Sequence, residues 1–206
     1  MTHKEKLIDT LKEYLPQASL SLCADIIMHY HLHLHIEVER KGRYGDYTPH
    51  TGKSSRISIN HNLSPFEFLI TFVHEVAHHT TFLKYGPRHD AHGEEWKQEF
   101  KRCMRPFFEL ELFPYDLKAA LAKHMNNPKY SQSADVKLLE VLRKYDPRKA
   151  GVLTLSKVED GTIFRMKTDT TWMTRIKKLR TYVLCESLDG KRRYRVHAMV
   201  EIVLQD

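Results

Sequence analysis

The segment His74-Glu75-Val76-Ala77-His78 constrains the fold of this chain more than any other stretch of its sequence. On an α-helix, residues four apart lie one turn apart on the same face, so His74 and His78 can bind the same metal ion. Glu75 projects about a quarter turn away and can reach a water molecule on that ion without being a ligand. Zinc lowers the pKa of such a water, and a neighbouring carboxylate can take its proton. The spacing therefore predicts a helix that carries a hydrolytic zinc site.

The residues around this segment predict that the helix lies in the core. With 14 histidines in 206 residues, the five-residue pattern alone is weak evidence, so its context decides. Ser64 is suited to be the N-cap, Pro65 the first helical residue and Glu67 the second member of a capping box. The helix is expected to run to about Leu83, before Gly86 ends it. An apolar stripe too broad for a surface helix follows this start and consists of Phe66, Leu69, Ile70, Val73, Val76 and Ala77.

A third metal ligand is expected downstream, because a catalytic zinc site usually has three protein ligands. One histidine among apolar neighbours is readily explained as a hydrogen-bonded core residue, but two that flank a glutamate are better explained by a metal. His92 is the preferred third ligand, since it opens a second helical pattern in which Trp96 and Phe100 recur on one face. That face is expected to pack on the first helix. His89, in the loop between the two helices, is the alternative.

The pentapeptide, followed by His92-Gly93 and then Trp96, resembles the signature of the SprT-like metalloprotease family. The resemblance implies that His74, His78 and His92 bind one catalytic Zn²⁺ ion and that Glu75 is the general base. It covers roughly residues 1–125. It implies an α+β fold, in which a zincin-like small metalloprotease domain combines helices with a small sheet.

The stretch before the motif helix fits this family pattern. A strand near Leu34–Arg40, a turn containing Gly42 and Gly45, and a strand at Arg56–Asn60 are predicted to lead into the helix. Two amphipathic helices, at residues 4–15 and 19–29, are predicted to precede them, with Pro16 between the two.

Histidines alternate with apolar residues after the second of these helices, at His29, His31, His33 and His35. Neighbouring histidines on one face of a strand can chelate, so a second metal site is one interpretation. The preferred interpretation is that the first members end the helix and the others form the polar face of a half-buried strand.

The C-terminal region is expected to be a separate small module. The predicted division is a SprT-like metalloprotease domain at 1–125, a connecting helix and linker at 126–150, and an antiparallel β module at 151–206. Bacterial relatives often end in a zinc ribbon built from two Cys-x-x-Cys pairs, and the tail resembles that ribbon in layout, with strands predicted at Thr162–Lys167, Arg180–Cys185 and Arg193–Leu204. Because Cys185 is its only cysteine, the module is expected to be metal-free. Its core is expected to consist of Ile163, Phe164, Tyr182, Leu184, Val196, Val200 and Ile202.

The charge of the tail fits two interpretations, and the family resemblance favours the one in which the tail binds nucleic acid. The chain carries a net charge of +7, and two basic clusters in the tail are expected to approach each other across a hairpin. Such a patch binds phosphates without reading sequence, and Trp172, Tyr182 and Tyr194 are candidates to stack on unpaired bases. The alternative is a solvated edge that discourages aggregation. The clusters are Arg175, Lys177, Lys178 and Arg180, and then Lys191, Arg192, Arg193 and Arg195.

The N-terminus is polar and no apolar run approaches the length of a membrane span, so neither a signal peptide nor a membrane partner is expected. Three cysteines far apart suit a reducing compartment. The predicted location is therefore the cytoplasm, with association with the nucleoid as an extension of the DNA hypothesis.

Two function classes follow. The first is a zinc-dependent endopeptidase acting on polypeptide, and the family resemblance implies substrates that are bound or crosslinked to DNA. Its substrate is expected to align as a strand against a sheet edge at Ile57–Asn60 or its neighbour. The second is a non-proteolytic nucleic-acid-associated binding module with a structural zinc site. The presence of Glu75 favours the first, because a structural site needs no base beside its ligands.

Overall fold

The computed structural model of the protein describes residues 1–40, 42–50, 52, 54–129 and 134–205. The chain divides into two compact units, Met1–Gln132 and Ser133–Asp206. The fold is α+β, as predicted, with six α-helices in the described residues, a three-stranded sheet in the first unit and a separate five-stranded antiparallel sheet in the second. Within those described ranges, every helix is too short or too polar to span a membrane.

The first unit contains the two predicted N-terminal helices, but the first of them is shorter than expected. It ends at Leu11 rather than near residue 15, because the N–H groups of Tyr14 and Leu15 both turn back to the Leu11 carbonyl. Its start is secured by a capping box between Thr2 and Glu5. The α-helices of this unit are α1 His3–Leu11, α2 Leu20–His29, α3 Pro65–Tyr85, α4 Glu94–Glu109 and α5 Tyr115–Asn126.

A three-stranded sheet precedes α3, with strands β1 His33–Glu37, β2 Gly45–Thr48 and β3 Arg56–Asn60. The order is β1-β3-β2, so β3 is central, with β1 parallel and β2 antiparallel to it. The prediction of a turn at Gly45 is wrong, since this residue begins the edge strand β2. The four residues of β2 show no apolar alternation, which is why the sequence pattern missed them.

Helix α3 is the central element of the first unit. Its predicted capping box is confirmed, because the Ser64 N–H donates to the Glu67 carboxylate at 3.0 Å and the box is complete in both directions. The helix continues to Tyr85 and ends at Gly86, whose φ of 73° is in the left-handed region that favours glycine. Most of α3 is buried on all sides, as the broad apolar stripe predicted.

Helix α4 packs against α3. It begins at Glu94 with Gly93 as N-cap, so His92 lies in the loop before the helix rather than in its first turn. Pro106 lies inside α4, near its end. The apolar face is buried as predicted, with Trp96 and Phe100 at 0 % and 1 % exposure.

The second unit contains a short helix, α6 Val136–Leu142, and a sheet with more strands than predicted. The strand Trp172–Lys178 was missed, and the predicted strand Arg193–Leu204 is two strands. The sheet order is β7-β6-β5-β4-β8, antiparallel throughout. Its strands are β4 Ile163–Met166, β5 Trp172–Lys178, β6 Tyr182–Ser187, β7 Arg193–His197 and β8 Ile202–Leu204.

The inward face of β6 is the opposite of the one predicted. Val183 and Cys185 are fully buried, whereas Tyr182 is 42 % exposed and Leu184 is only half-buried. Because side chains alternate along a strand, a one-residue slip exchanges the two faces completely. Ile163 is likewise exposed, and Val200 half-buried, but Phe164, Val196 and Ile202 are buried as predicted.

This register gives a direct prediction for stability. Val183→Ala should lower the free energy of unfolding of the second unit by about 2 kcal/mol, because it opens a cavity in a closed core. Leu184→Ala is the matched control and should cost less than about 1 kcal/mol. Urea denaturation followed through the indole N–H signal of Trp172 measures both. A larger loss for Leu184→Ala would contradict the register.

Candidate metal centre

Three histidine side chains meet through their Nε2 atoms. The Nε2 of His74 lies 3.2 Å from that of His78 and 3.2 Å from that of His92, and the third side of the triangle is 3.1 Å. In the described part of the chain, the ligand atoms of these three side chains lie close enough together to bind one metal ion. All three are half-buried. The structure therefore brings together the three residues that were predicted as ligands.

Helix α3 and the loop before α4 position these rings. His74 and His78 lie one turn apart on α3, while His92 directly precedes the N-cap Gly93. A Cβ atom at Gly93 would lie 2.8 Å from the Cβ of Asp90, so only glycine lets the loop turn this tightly. The Gly93 N–H donates to the Asp90 carbonyl at 3.1 Å, which closes the turn.

Trp96 forms the floor of the histidine cluster. The centroid of its ring lies 4.7 Å from that of His74, 5.5 Å from that of His78 and 4.7 Å from that of His92. Its other neighbour is Phe100, whose ring stacks on it at 5.1 Å. This apolar floor excludes water from one side of the three imidazoles and holds their relative orientation.

The three imidazoles suit a divalent metal ion such as zinc. Burial lowers the pKa of His74 well below its usual value and that of His78 to about 3, and the neighbouring histidines add to both shifts. Burial also lowers the pKa of His92, so all three rings are neutral and have lone pairs to offer. Two nitrogens bound to one zinc at about 2.0–2.1 Å in a tetrahedral arrangement are about 3.3 Å apart. The spacing of the triad is close to that value.

Glu75 is buried beside the sheet. It is 5 % exposed, and burial, with a smaller effect of the Asp46 charge, raises the pKa of its carboxyl to about 8, while Arg40 acts in the opposite direction. A Cβ atom at Gly45 would lie only 2.5 Å from Oε1 of Glu75. Glycine at this position therefore lets the edge strand β2 reach the carboxylate.

Sequence reasoning missed the contribution of β2 to this site. Besides Gly45, the strand supplies Tyr47, whose hydroxyl oxygen lies 3.1 Å from Nδ1 of His79 and whose ring is parallel to that of His78. The available signal was an isolated glycine in a short polar segment, which often marks a close backbone approach. β2 is also the edge strand beside α3, whereas β3, which contains Ile57–Asn60, is central.

His89, the alternative third ligand, does not join the triad, and Nδ1 of His89 lies 2.6 Å from the Gly86 carbonyl oxygen instead. Glu99, a downstream carboxylate on α4, forms salt bridges with Lys84 and Arg102. These contacts give both residues structural partners that tie α4 and the preceding loop to α3.

Lys177 and Arg195 share one face of the second sheet. Both are opposite Leu184, Lys177 on β5 and Arg195 on β7, and directly opposed residues project to the same side. The irregularity between Arg175 and Lys177 turns Lys177 outward. Two exposed cations therefore flank β6, and Tyr182 is on the same face.

The remaining residues of the predicted basic patch are divided. Arg175 is 6 % exposed and forms a salt bridge with Asp160, so it faces inward. Arg193 forms a salt bridge with Glu186 at 3.0 Å. Arg180 precedes β6 while Lys191 and Arg192 follow it, which puts them at opposite ends of a strand that is about 20 Å long at 3.3–3.4 Å per residue. Lys178, next to Lys177, is exposed. Tyr194 is directly opposite the buried Cys185, so it projects to the inward face of the sheet.

Comparison with known protein families agrees with the geometry of the first unit. Residues 34–116, which span the sheet, α3, the His92 loop and α4, match the model of the SprT-like family. This part of the first unit is therefore similar to a SprT-like domain. SprT-like domains have a zincin-like fold, and the family is generally one of zinc metallopeptidases. Neither the curated proteins nor the solved structures contain a match to the chain.

The close approach of β2 to α3 in the SprT-like domain predicts a conflict in Gly45→Ala. The added methyl would collide with Glu75 and with Cγ2 of Thr71, which lies 2.7 Å from the ideal Cβ position. We expect a loss of about 1–3 kcal/mol in the free energy of unfolding, measured by urea denaturation. The loss should shrink in a Glu75→Ala background, where one of the colliding side chains is shortened. Equal losses in both backgrounds would show that β2 does not press on Glu75.

Proposed function

We propose that this protein is a zinc-dependent endopeptidase of the SprT-like type, with His74, His78 and His92 as zinc ligands and Glu75 as general base. The observation that carries the proposal is the convergence of three neutral Nε2 atoms on α3 and the adjacent loop, within a domain of a family that is generally metallopeptidase. A buried carboxylate next in the chain to the first ligand supports a hydrolytic rather than a purely structural site.

The chemistry divides between the cation and the chain. A zinc ion held by the triad supplies Lewis acidity toward water and toward a peptide carbonyl. Glu75 accepts a proton from the attacking water and delivers it to the departing amine. Burial raises the pKa of this carboxyl, and the charge of a bound cation would act in the opposite direction, favouring the ionised carboxylate that a base requires. Trp96 shields the ligand side from bulk water.

The edge strand β2 is the proposed guide for the substrate. A polypeptide that adds to β2 as a further strand would run beside α3, along the residues that contact Glu75 and His78. Backbone hydrogen bonding of this kind depends little on side chains, so it suits an enzyme that accepts varied polypeptides.

Substitutions at the proposed base and at the loop ligand test the mechanism. Glu75→Gln should retain zinc and lose cleavage by at least about a hundredfold, because a general base contributes about 10²–10⁴-fold. His92→Ala should weaken both zinc binding and cleavage, because it leaves two of three ligands. Zinc content and cleavage of a DNA-bound protein are measured for each variant.

His89→Ala is the matched control for the loop ligand and should retain zinc. Loss of zinc in His89→Ala with full retention in His92→Ala would overturn the ligand assignment. Unchanged cleavage in Glu75→Gln would refute the mechanism. A wild-type protein that binds zinc and DNA but cleaves no polypeptide would favour the non-proteolytic binding module.

We further propose that the substrates are proteins bound or crosslinked to DNA, and that the second unit holds the DNA. Support comes from Lys177 and Arg195 on one sheet face, with Tyr182 on the same side. Exposed cations bind phosphates, and an exposed aromatic ring can stack on an unpaired base.

The DNA proposal predicts a change in salt dependence. The double variant Lys177→Ala/Arg195→Ala should weaken binding to single-stranded DNA and reduce the slope of log K against log salt concentration by about 1.4, or about 0.7 per lost phosphate contact. Lys6→Ala/Lys123→Ala removes two exposed lysines from the first unit and is the control of equal charge. If both double variants lose affinity equally, the sheet face is not the binding surface.

A further inference from the structure

Tyr47 connects three parts of the metal site. Its hydroxyl lies 3.1 Å from Nδ1 of His79 on α3 and 3.4 Å from Oγ of Ser55, which directly precedes β3. Its ring is nearly parallel to that of His78, at an angle of 6° and a centroid distance of 6.4 Å. One side chain of the edge strand therefore hydrogen-bonds the neighbour of a proposed ligand and the start of the central strand, and its ring lies parallel to that of the ligand.

The hydrogen bonds of His79 favour one tautomer. This residue is 4 % exposed, its Nδ1 faces Tyr47, and its Nε2 has no hydrogen-bond partner among the described residues. An unpaired buried N–H is rarer in proteins than an unpaired buried acceptor. The favoured tautomer therefore carries its proton on Nδ1 and donates it to the Tyr47 oxygen, which leaves the Tyr47 hydroxyl to donate to Ser55.

Ser55 anchors the far end of this chain of hydrogen bonds. It is 5 % exposed, and its Oγ also accepts from the backbone N–H of His50 at 3.3 Å. The Tyr47 ring is thus fixed through its hydroxyl, in an orientation parallel to the His78 ring. A metal-binding histidine needs its ring orientation fixed by surrounding groups, whose removal typically costs about 10–100-fold in metal affinity or activity.

We propose that Tyr47 is a positioning residue that fixes the ring of His78 for metal binding and sets the register of β2 on α3. The inference rests on the proposed function, because it takes His78 as a ligand. Gly45 makes the second contact of the same strand, two residues earlier, against Glu75, which lies four residues before His79 on the helix. Two residues of strand span about 6.6 Å and four residues of helix about 6.0 Å, so the two contacts match in spacing. A shift of β2 along α3 would disturb the base and the ligand together.

The test removes the hydroxyl and keeps the ring. Tyr47→Phe should weaken zinc binding about tenfold in chelator competition, while Tyr115→Phe, the control at a 91 % exposed tyrosine, should leave it unchanged. His79→Phe should have a similar effect, and the double variant should be no worse than either single one, because both remove the same link. Additive losses, or full zinc affinity in Tyr47→Phe, would overturn the proposal.

A measurement without metal separates this inference from the proposed function. Histidine ring ¹⁵N spectra of the metal-free protein should show His79 with its proton on Nδ1, and Tyr47→Phe should shift the ring signals of both His79 and His78. If the wild type bound no zinc, the proposed function would fail while these spectra would still decide whether Tyr47 holds the two rings. Unshifted ring signals in a folded Tyr47→Phe protein would overturn the positioning role.

Discussion

The packing of Trp96 against α3 is the contact on which the histidine cluster depends. Its ring is fully buried and touches the rings of His74, His78 and His92, which come from two different segments. The same burial keeps the three imidazoles neutral, because their charged forms would lose hydration. One apolar contact thus supplies both the shape and the electrostatic state of the cluster. A side chain of this size typically accounts for about 3–5 kcal/mol when it is removed from a core.

The histidine cluster requires polar residues on a helix that is otherwise part of the core. Helix α3 is buried on nearly every side, yet it contains two glutamates, three histidines and three threonines. The threonines are satisfied locally, since Thr71 and Thr81 donate to carbonyls one turn earlier on the helix. His79 finds Tyr47, whereas Glu75 retains a carboxyl whose ionisation is opposed by its surroundings. The proposed ligands His74 and His78 and the proposed base Glu75 are thus polar groups of α3 that are not hydrogen-bonded to a carbonyl of their own helix.

What the sequence reveals depends on whether the signal is local. The capping box at Ser64, the apolar burial of α3 and the meeting of His92 with the helix histidines follow from spacing within short segments. The role of β2 could not be predicted in this way, because it depends on the close approach of Gly45 to Glu75, which is distant in sequence. The inward register of β6 fails for a related reason: Tyr182 and Val183 are equally suited to a core, and cross-strand pairing decides between them. Arg175 looked like a surface cation, but it pairs with the buried Cys185 and therefore faces inward, and the irregularity after it turns Lys177 outward.

The unequal support of the three histidines has a consequence for how a metal ion is captured. His74 and His78 belong to a buried, hydrogen-bonded helix, so their separation is fixed before any ion arrives. His92 stands on a loop whose tight turn is closed by its own backbone contact at Gly93. An ion held by His74 and His78 would therefore find the third imidazole nearby, at a high effective concentration. The affinity for a metal ion would therefore depend on the turn as well as on the ligands. Lengthening that loop would weaken metal binding without changing any coordinating atom.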